Sequence, residues 1–349
     1  AEQHYRKELS ELVRLEQNRR VQKLTVSAQT DMANVLTDRG KWSEAKQLYQ
    51  VALKTAKELG DLEQRAVITG QLGSLALMQG KLTEAAVHCK KAISLFQGLS
   101  EPIHVAVYTH QLGVVYQQAE NWKAAEQAYR ESARLREDQG LLGGSNGAGA
   151  SWNQLAIVCL LTNRLTEAEQ WFRKALQTFR EGEDKSNIAS TLNNLAGVLI
   201  SDPTRLDEAR RLAEDGVAIA ETLNPATAQI WNTYELLAHI ATQQGDSIRA
   251  AAYRDKSRKA YLAFPGWRQQ IYQHERLIAA VVQATINIDS RKELESVWDN
   301  WAGGERANLI AAIRCIIGGE RDEAVLFEPL GYMEAALIRA ILEGIEEQG

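Results

Sequence analysis

The chain has 349 residues, 45% hydrophobic and 24% charged, with a formal net charge of −5. That is length for two ordinary domains or one repetitive one, and the slight acidic excess, with no basic run, gives no electrostatic reason for a nucleic-acid partner. No run of 18 apolar residues offers a membrane span, and Cys89, Cys159 and Cys315, scattered without metal-ligand spacing, fit buried free thiols in a reducing, cytoplasmic setting.

Only five prolines interrupt the chain, Ala, Leu, Glu, Gln and Arg dominate its long runs, and alternating β-branched stretches are almost absent, so an all-α protein is expected. The N-terminus, Ala1-Glu-Gln-His-Tyr-Arg-Lys-Glu, is charged and unlike a signal peptide. It lacks Met, and the expectation is a piece of a larger protein. Residues 2–20 carry Leu9, Leu12, Val13 and Leu15 on an amphipathic pattern and are expected to form a capping helix, the capping segment ending at residue 21.

From residue 22 to residue 262 one unit recurs. Turn segments such as Arg39-Gly-Lys-Trp-Ser-Glu-Ala45 and Gln79-Gly-Lys-Leu-Thr-Glu-Ala85 close on alanines at 45, 85, 125, 168, 209 and 250, with spacings of 40, 40, 43, 41 and 41. Upstream of each lies a small residue: Ala33, Gly73, Gly113, Ala156, Ala196 and Ala238. Four residues after the first four alanines come Tyr49, Cys89, Tyr129 and Phe172, and seven after them Ala52, Ala92, Ser132 and Ala175. Small residues recurring opposite large ones mark helices that cross closely. Each unit is a hairpin that buries its apolar face only against its neighbours.

Residues 144–151, Gly-Ser-Asn-Gly-Ala-Gly-Ala-Ser, fit the phosphate-loop pattern Gly-x-x-x-x-Gly-Lys-Ser/Thr in seven of eight places, with Ala150 where the lysine belongs. A nucleotide-binding switch here is one alternative function. The register argues against it. Gly149 stands seven residues before Ala156, where other repeats have Ala66, Ala106 and Ala189, so it opens a helix as a small packing residue. Residues 140–147 then read as a Gly-rich joint between repeats three and four.

After Tyr261 the register is lost. Helices are expected at about 268–287, 291–301, 305–317 and 332–347, forming a C-terminal unit over 266–349. Leu309, Ile310, Ile313, Ile316 and Ile317 make one apolar face, and Leu337, Ile338, Ile341, Leu342 and Ile345 another. Capping of the last repeat is the simplest use of these faces. A homo-oligomer or neighbouring-domain contact through 305–349, as in a self-associating structural adaptor, is the alternative.

Gln71-Leu-Gly with Gly80-Lys-Leu-Thr-Glu-Ala85, and Gln111-Leu-Gly-Val-Val-Tyr116, resemble the tetratricopeptide repeat. That repeat has a period of 34 residues, and the longer period here adds about one helical turn to each helix. The long variant is similar to the repeats of kinesin light chain, of spindle-orientation adaptors and of the sensor regions of bacterial STAND signalling ATPases. The resemblance covers about residues 22–262. It implies a right-handed α-solenoid of about six hairpins, and a non-enzymatic module that binds a protein or peptide partner in a concave groove. Within that class, the sensor or scaffold region of a larger signalling protein is favoured.

The resemblance also assigns the inward-facing positions, on the first helix of each hairpin. Three before the small residue come Thr30, Gly70, His110, Asn153, Asn193 and Glu235; one after it, Asn34, Ser74, Val114, Ile157, Gly197 and His239; four after it, Thr37, Leu77, Gln117, Leu160, Ile200 and Thr242. Asp38, Met78, Gln118 and Leu161 come next, and Gln71, Gln111, Gln154 and Asn194 flank the groove. From these, Asn34, His110, Val114, Gln117, Asn153, Ile157, Leu160, Asn193, Asn194, Ile200 and His239 are the candidate partner-binding residues. Amides carry both donor and acceptor for a peptide backbone, and the aliphatic positions receive side chains; the alternative is that the amides bond within or between helices and hold the stack together. The Lys and Arg with which chaperone-binding relatives clamp a terminal carboxylate are missing from these positions. No two of the six histidines lie three or four residues apart, and no nucleophile elbow is present, so no catalytic residue, metal ligand or cofactor is assigned.

Overall fold

The structure, a computed structural model, describes residues 1–15, 18–141, 147–223, 229–298 and 306–348. Among them there are helices and no strand. They form two compact units, Ala1–Asp184 and Lys185–Gly349.

Unit 1 starts with α1 (Glu2–Arg14). Four hairpins come after it: α2 (Arg19–Asp38) with α3 (Trp42–Glu58), α4 (Leu62–Met78) with α5 (Leu82–Gly98), α6 (Pro102–Gln118) with α7 (Trp122–Asp138), and α8 (Ala148–Leu161) with α9 (Leu165–Glu181). Unit 2 holds two more, α10 (Lys185–Leu199) with α11 (Leu206–Ala220) and α12 (Ile230–Gln243) with α13 (Ser247–Ala263). It ends with α14 (Trp267–Ile271), α15 (Glu275–Ile286), α16 (Ile288–Trp298), α17 (Ala307–Ile317), α18 (Glu323–Phe327) and α19 (Tyr332–Glu346).

The period has a backbone cause. In the first three repeats a residue with positive φ recurs every 20 positions, at Gly40, Gly60, Gly80, Ser100, Glu120 and Gly140. Each closes a helix in a Schellman turn. In the first, the Gly40 N–H donates to Thr37 O at 3.0 Å and the Lys41 N–H to Leu36 O at 2.9 Å. Glu120 holds φ 55 with a side chain where glycine stands elsewhere. A non-glycine residue in this region costs about 1–2 kcal/mol, partly offset because glycine loses more entropy on folding. Glu120→Gly is therefore expected to raise stability by about 0.5–1 kcal/mol in urea melts.

The repeat positions pack as large on small. Tyr49, Cys89, Tyr129 and Phe172 are all buried, the first three against the first helix of their own hairpin. A Cβ on Gly113 would lie 2.7 Å from Tyr129 Cε1, and one on Gly73 3.2 Å from Cys89 Sγ. Glycine thus sets how closely these helices approach. Gly149 lies in the first turn of α8, where a Cβ would meet Thr178 Oγ1 at 2.5 Å and Phe179 Cε1 at 3.1 Å. It is the packing residue the register implied. The phosphate-loop reading of 144–151 thereby meets helix α7 where it needs a strand. The centre of the expected joint, residues 142–146, lies outside the described residues.

Three expectations are corrected. The first helix ends at Arg14, because the Asn18 side chain accepts from the N–H groups of Arg20 and Val21 and opens α2, so the first repeat begins at 19. The helix expected over 268–287 is broken into α14, a 3-10 turn at Tyr272–His274 and α15, while α16 begins at Ile288, its expected end falls on undescribed residues, and α18 was not foreseen. Cys89 and Cys159 are buried, but Cys315 is exposed.

The C-terminal helices share a core with the sixth hairpin. Trp231 and Tyr261 of the sixth hairpin share one core with Trp267, Ile313, Leu330 and Ile338. Leu309, Ile310, Ile313 and Ile316, like Leu337, Ile338, Ile341 and Leu342, are buried in it, so the faces considered for self-association are largely spent within the unit. The Arg258 guanidinium donates to Leu330 O at 3.0 Å and adds a polar tie.

At the other end, α1 is held by one carboxylate. Glu2, only 8% exposed, takes Arg6 at 2.8 Å, Arg39 at 2.6 Å and Lys41 at 3.2 Å. Hydrogen bonds from these cations, Arg6 foremost, lower its pKa from 4.5 to about 2. A depressed carboxylate stabilises fully above its unfolded pKa and loses that contribution as pH falls through the folded one. The helical chemical shifts of residues 2–14 are thus expected to weaken between pH 4.5 and about 2, before those of α4.

Candidate partner-binding face

In unit 1 the first helices of successive hairpins touch, α2 with α4 and α4 with α6, and His110 on α6 hydrogen-bonds Ser151 on α8, so the residues they present share one surface. Asn34, Ser74, Leu77, His110, Val114, Gln117, Asn153, Ile157 and Leu160 are each half-buried there, while Met78 and Leu161 are 55% and 54% exposed. Thr30 and Thr37 are buried, and each hydroxyl donates to the carbonyl four residues back, Val26 O and Ala33 O. They line the helices more than they face a partner. Gly70 is closed from the surface by Tyr108: a Cβ on it would lie 1.9 Å from the ring.

Several of these amides are held by their own second helix. Tyr49 OH donates to Asn34 Oδ1 at 2.6 Å, and Tyr129 OH to Gln117 Oε1 at 2.8 Å. The large residue that packs each hairpin thus also fixes an amide on the face. Gln111 Nε2 donates to Ser74 Oγ of the preceding repeat. These amides therefore help to hold the stack together.

The third and fourth repeats share a buried polar cluster. Arg136 is 4% exposed. Its Nη1 donates to Ser151 Oγ at 2.8 Å and Gly147 O at 3.4 Å, and its Nε has no partner. Among the described residues no carboxylate pairs with it. Burial pushes its pKa down. Ser151 Oγ also lies 2.9 Å from His110 Nδ1 and donates to Ser132 Oγ at 3.1 Å, which in turn donates to Ala106 O at 2.7 Å. The His110 ring tilts on Tyr129 with centroids 5.3 Å apart. Burial first, and Arg136 second, lower the His110 pKa from 6.5 to about 4, so the ring is neutral at physiological pH.

In unit 2 the candidates are placed on α10 and α12. Asn193, Asn194 and Ile200 are half-buried, and Asn193 Oδ1 is sealed from solvent without a partner. Gly197 has open space around its Cβ direction, as an outward position should, while Ala196 is fully buried. His239 is exposed and sits 2.8 Å from Gln243 Nε2 through its own Nε2. Glu235, at the position of Asn193, is half-buried.

Among the described residues no cluster of three His, Cys, Asp or Glu is arranged to hold a metal, and no helix is long and apolar enough to cross a membrane. Arg136, Ser132 and Ser151 were not singled out as functional from sequence. Ser132 did carry a signal, since it is the one hydroxyl where the other three hairpins of unit 1 have alanine.

A family model described as tetratricopeptide repeat matches residues 24–97, 64–138 and 147–222. No curated protein matches the chain. Similar solved structures include a Signal Transduction ATPase with Numerous Domains (STAND) protein with a tetratricopeptide repeat sensor from Pyrococcus horikoshii, at 15% identity and TM-score 0.60, covering 73% of this chain and 38% of that one. The apo form of RapI matches at 17% identity and TM-score 0.55, covering 73% and 88%. BtubC (BKLC) from P. vanneervenii matches at 19% identity and TM-score 0.51, covering 71% and 92%. At these identities the likeness is one of fold.

Proposed function

The chain belongs to the tetratricopeptide repeat family, and from that premise we propose that it is a non-enzymatic module binding an extended, largely uncharged peptide segment along the first-helix face of unit 1. Stacked helix hairpins offer such extended faces to partners. The observation that carries the reading is the chemistry of the row. From Thr30 to Leu161 the inward positions of unit 1 hold amides, hydroxyls, one neutral histidine and aliphatic side chains, and Asp38 is their only charge. Amides pair with a peptide backbone without demanding a charged side chain, and Val114, Ile157 and Leu160 offer apolar contacts.

The finer part of the proposal is the setting. The sensor or scaffold region of a larger signalling protein is the role we favour, in line with the tetratricopeptide repeat sensor of the similar Pyrococcus horikoshii protein. A random peptide library displayed against the intact chain tests the binding reading. The selected peptides should be poor in acidic and basic residues and should lose binding to Ile157→Arg. Highly charged peptides, or peptides indifferent to that substitution, would overturn it.

A further inference from the structure

We propose that His110 is a specificity-determining hydrogen-bond acceptor: a relay of hydroxyls fixes its ring as the Nδ1–H tautomer, so that Nε2 accepts from an N–H or O–H group of the ligand. This rests on the reading of the unit 1 face as a peptide site and deepens it.

The tautomer is set by the number of protons in the relay. Ala106 O can only accept, so the Ser132 hydroxyl proton is spent on it, at 2.7 Å. Ser132 Oγ must then accept from Ser151, at 3.1 Å, which spends the Ser151 proton. Ser151 Oγ has two lone pairs left. One takes the Arg136 guanidinium, which cannot accept, at 2.8 Å. The other faces His110 Nδ1 at 2.9 Å, and with no proton left on the hydroxyl the ring nitrogen has to supply one. Ser151 is then saturated, and reversing any link leaves two donors or two acceptors facing each other.

Nε2 is left as the lone-pair nitrogen. It has no hydrogen-bond partner among the described residues, and it is not among the unpartnered polar atoms sealed from solvent. It lies across the ring from the nitrogen turned inward to Ser151, on a half-buried side chain whose register position is shared by Asn153 of the next repeat. The charged groups around the ring are few. Arg136 opposes protonation, the Tyr129 ring is neutral, and no carboxylate acts on the imidazole. A buried guanidinium with no carboxylate partner among the described residues is costly, and here it has an identifiable use, which is to keep the ring a neutral acceptor. The ligand feature that fits is a backbone amide or a hydroxyl or amide side chain. A carboxylate oxygen at this place would meet a lone pair.

The first test needs no ligand. Nitrogen NMR of the intact chain labelled at histidine, with His110 assigned by His110→Gln, should show Nδ1 protonated and Nε2 bare at neutral pH, titrating only near pH 4. Arg136→Met should move that titration upward. A bare Nδ1, or an imidazolium at pH 7, overturns the proposal. The second test uses a library-selected peptide whose binding Ile157→Arg abolishes. Its amides are methylated one at a time, and its hydroxyl and amide side chains are truncated one at a time. One change should cost at least about tenfold in affinity on the native chain and almost nothing on His110→Phe, the signature of a direct pair. Equal losses on both proteins at every position overturn the acceptor role even with the peptide site intact. A peptide unaffected by Ile157→Arg points instead to failure of the site assignment.

Discussion

Tyr129→Ala is expected to destabilise the unit spanning Ala1–Asp184 by about 3–5 kcal/mol in urea unfolding, the range for removing a buried aromatic side chain. The ring is fully buried, and its edge fills the space that Gly113 leaves open. Neighbouring helices cannot close the hole without abandoning the spacing that the repeat holds elsewhere, so little of the cost is recovered. In a stack of hairpins each repeat is supported mainly by its neighbours. The loss should therefore appear as earlier unfolding around α6–α8 as well as a lower midpoint. Tyr129→Phe separates packing from polarity. It keeps the ring and loses only the hydroxyl's donation to Gln117, which is expected to cost about 0.5–1.5 kcal/mol. The Ala substitution also removes the surface on which His110 rests. Ligand affinity should thus fall with Tyr129→Ala under conditions where the chain is still folded.

Ile157→Arg is expected to weaken a peptide selected on the native chain by about a hundredfold, about 2.7 kcal/mol, with little change in Tm. Ile157 is half-buried on α8, so an arginine there can run its stem along the surface and keep its head in water, sparing the fold. A ligand laid on that surface must either strip water from the guanidinium or lift away from Val114 and Leu160. Ile248→Arg is the matched control. Ile248 is 85% exposed on the second helix of the sixth hairpin, and the same change of chemistry there should leave affinity unaltered.

Much of the fold could be read from the sequence, for physical reasons that particular residues make plain. The turn alanines 45, 85, 125, 168, 209 and 250 are all buried, because each sits where two helices meet at a hairpin and nothing larger fits. Gly149 was separable from a phosphate loop by register alone. The 20-residue series of left-handed turns was only half visible, because Ser100 and Glu120 occupy places where Gly40, Gly60 and Gly80 announce the turn. The C-terminal third was least legible. Its helices are short and irregular, and what pairs them is a shared core with Trp231 and Tyr261 that no local period encodes.

For the candidate face, the register placed Val114, Ile157 and Leu160 on the surface of unit 1, but it was silent on how the amides and the histidine are held. Asn34 and Gln117 are gripped by tyrosines of their own second helices, 15 and 12 residues away. His110 is oriented by Ser151, 41 residues away, and by Arg136 behind it. A buried arginine with no carboxylate partner among the described residues looks, in sequence, like one more cation on a charged helix. Only its burial and the direction of each hydrogen bond reveal the relay.

The central claim is that ligands lie on the first-helix face of unit 1. Methyl NMR of the intact chain, titrated with a peptide selected on it, tests this most directly. The account predicts shifts at Val114, Ile157 and Leu160, none at Ile248, and loss of all of them in Ile157→Arg. Shifts confined to the second helices or to the C-terminal core around Ile313 and Ile338, with Val114 and Ile157 unmoved, would contradict it.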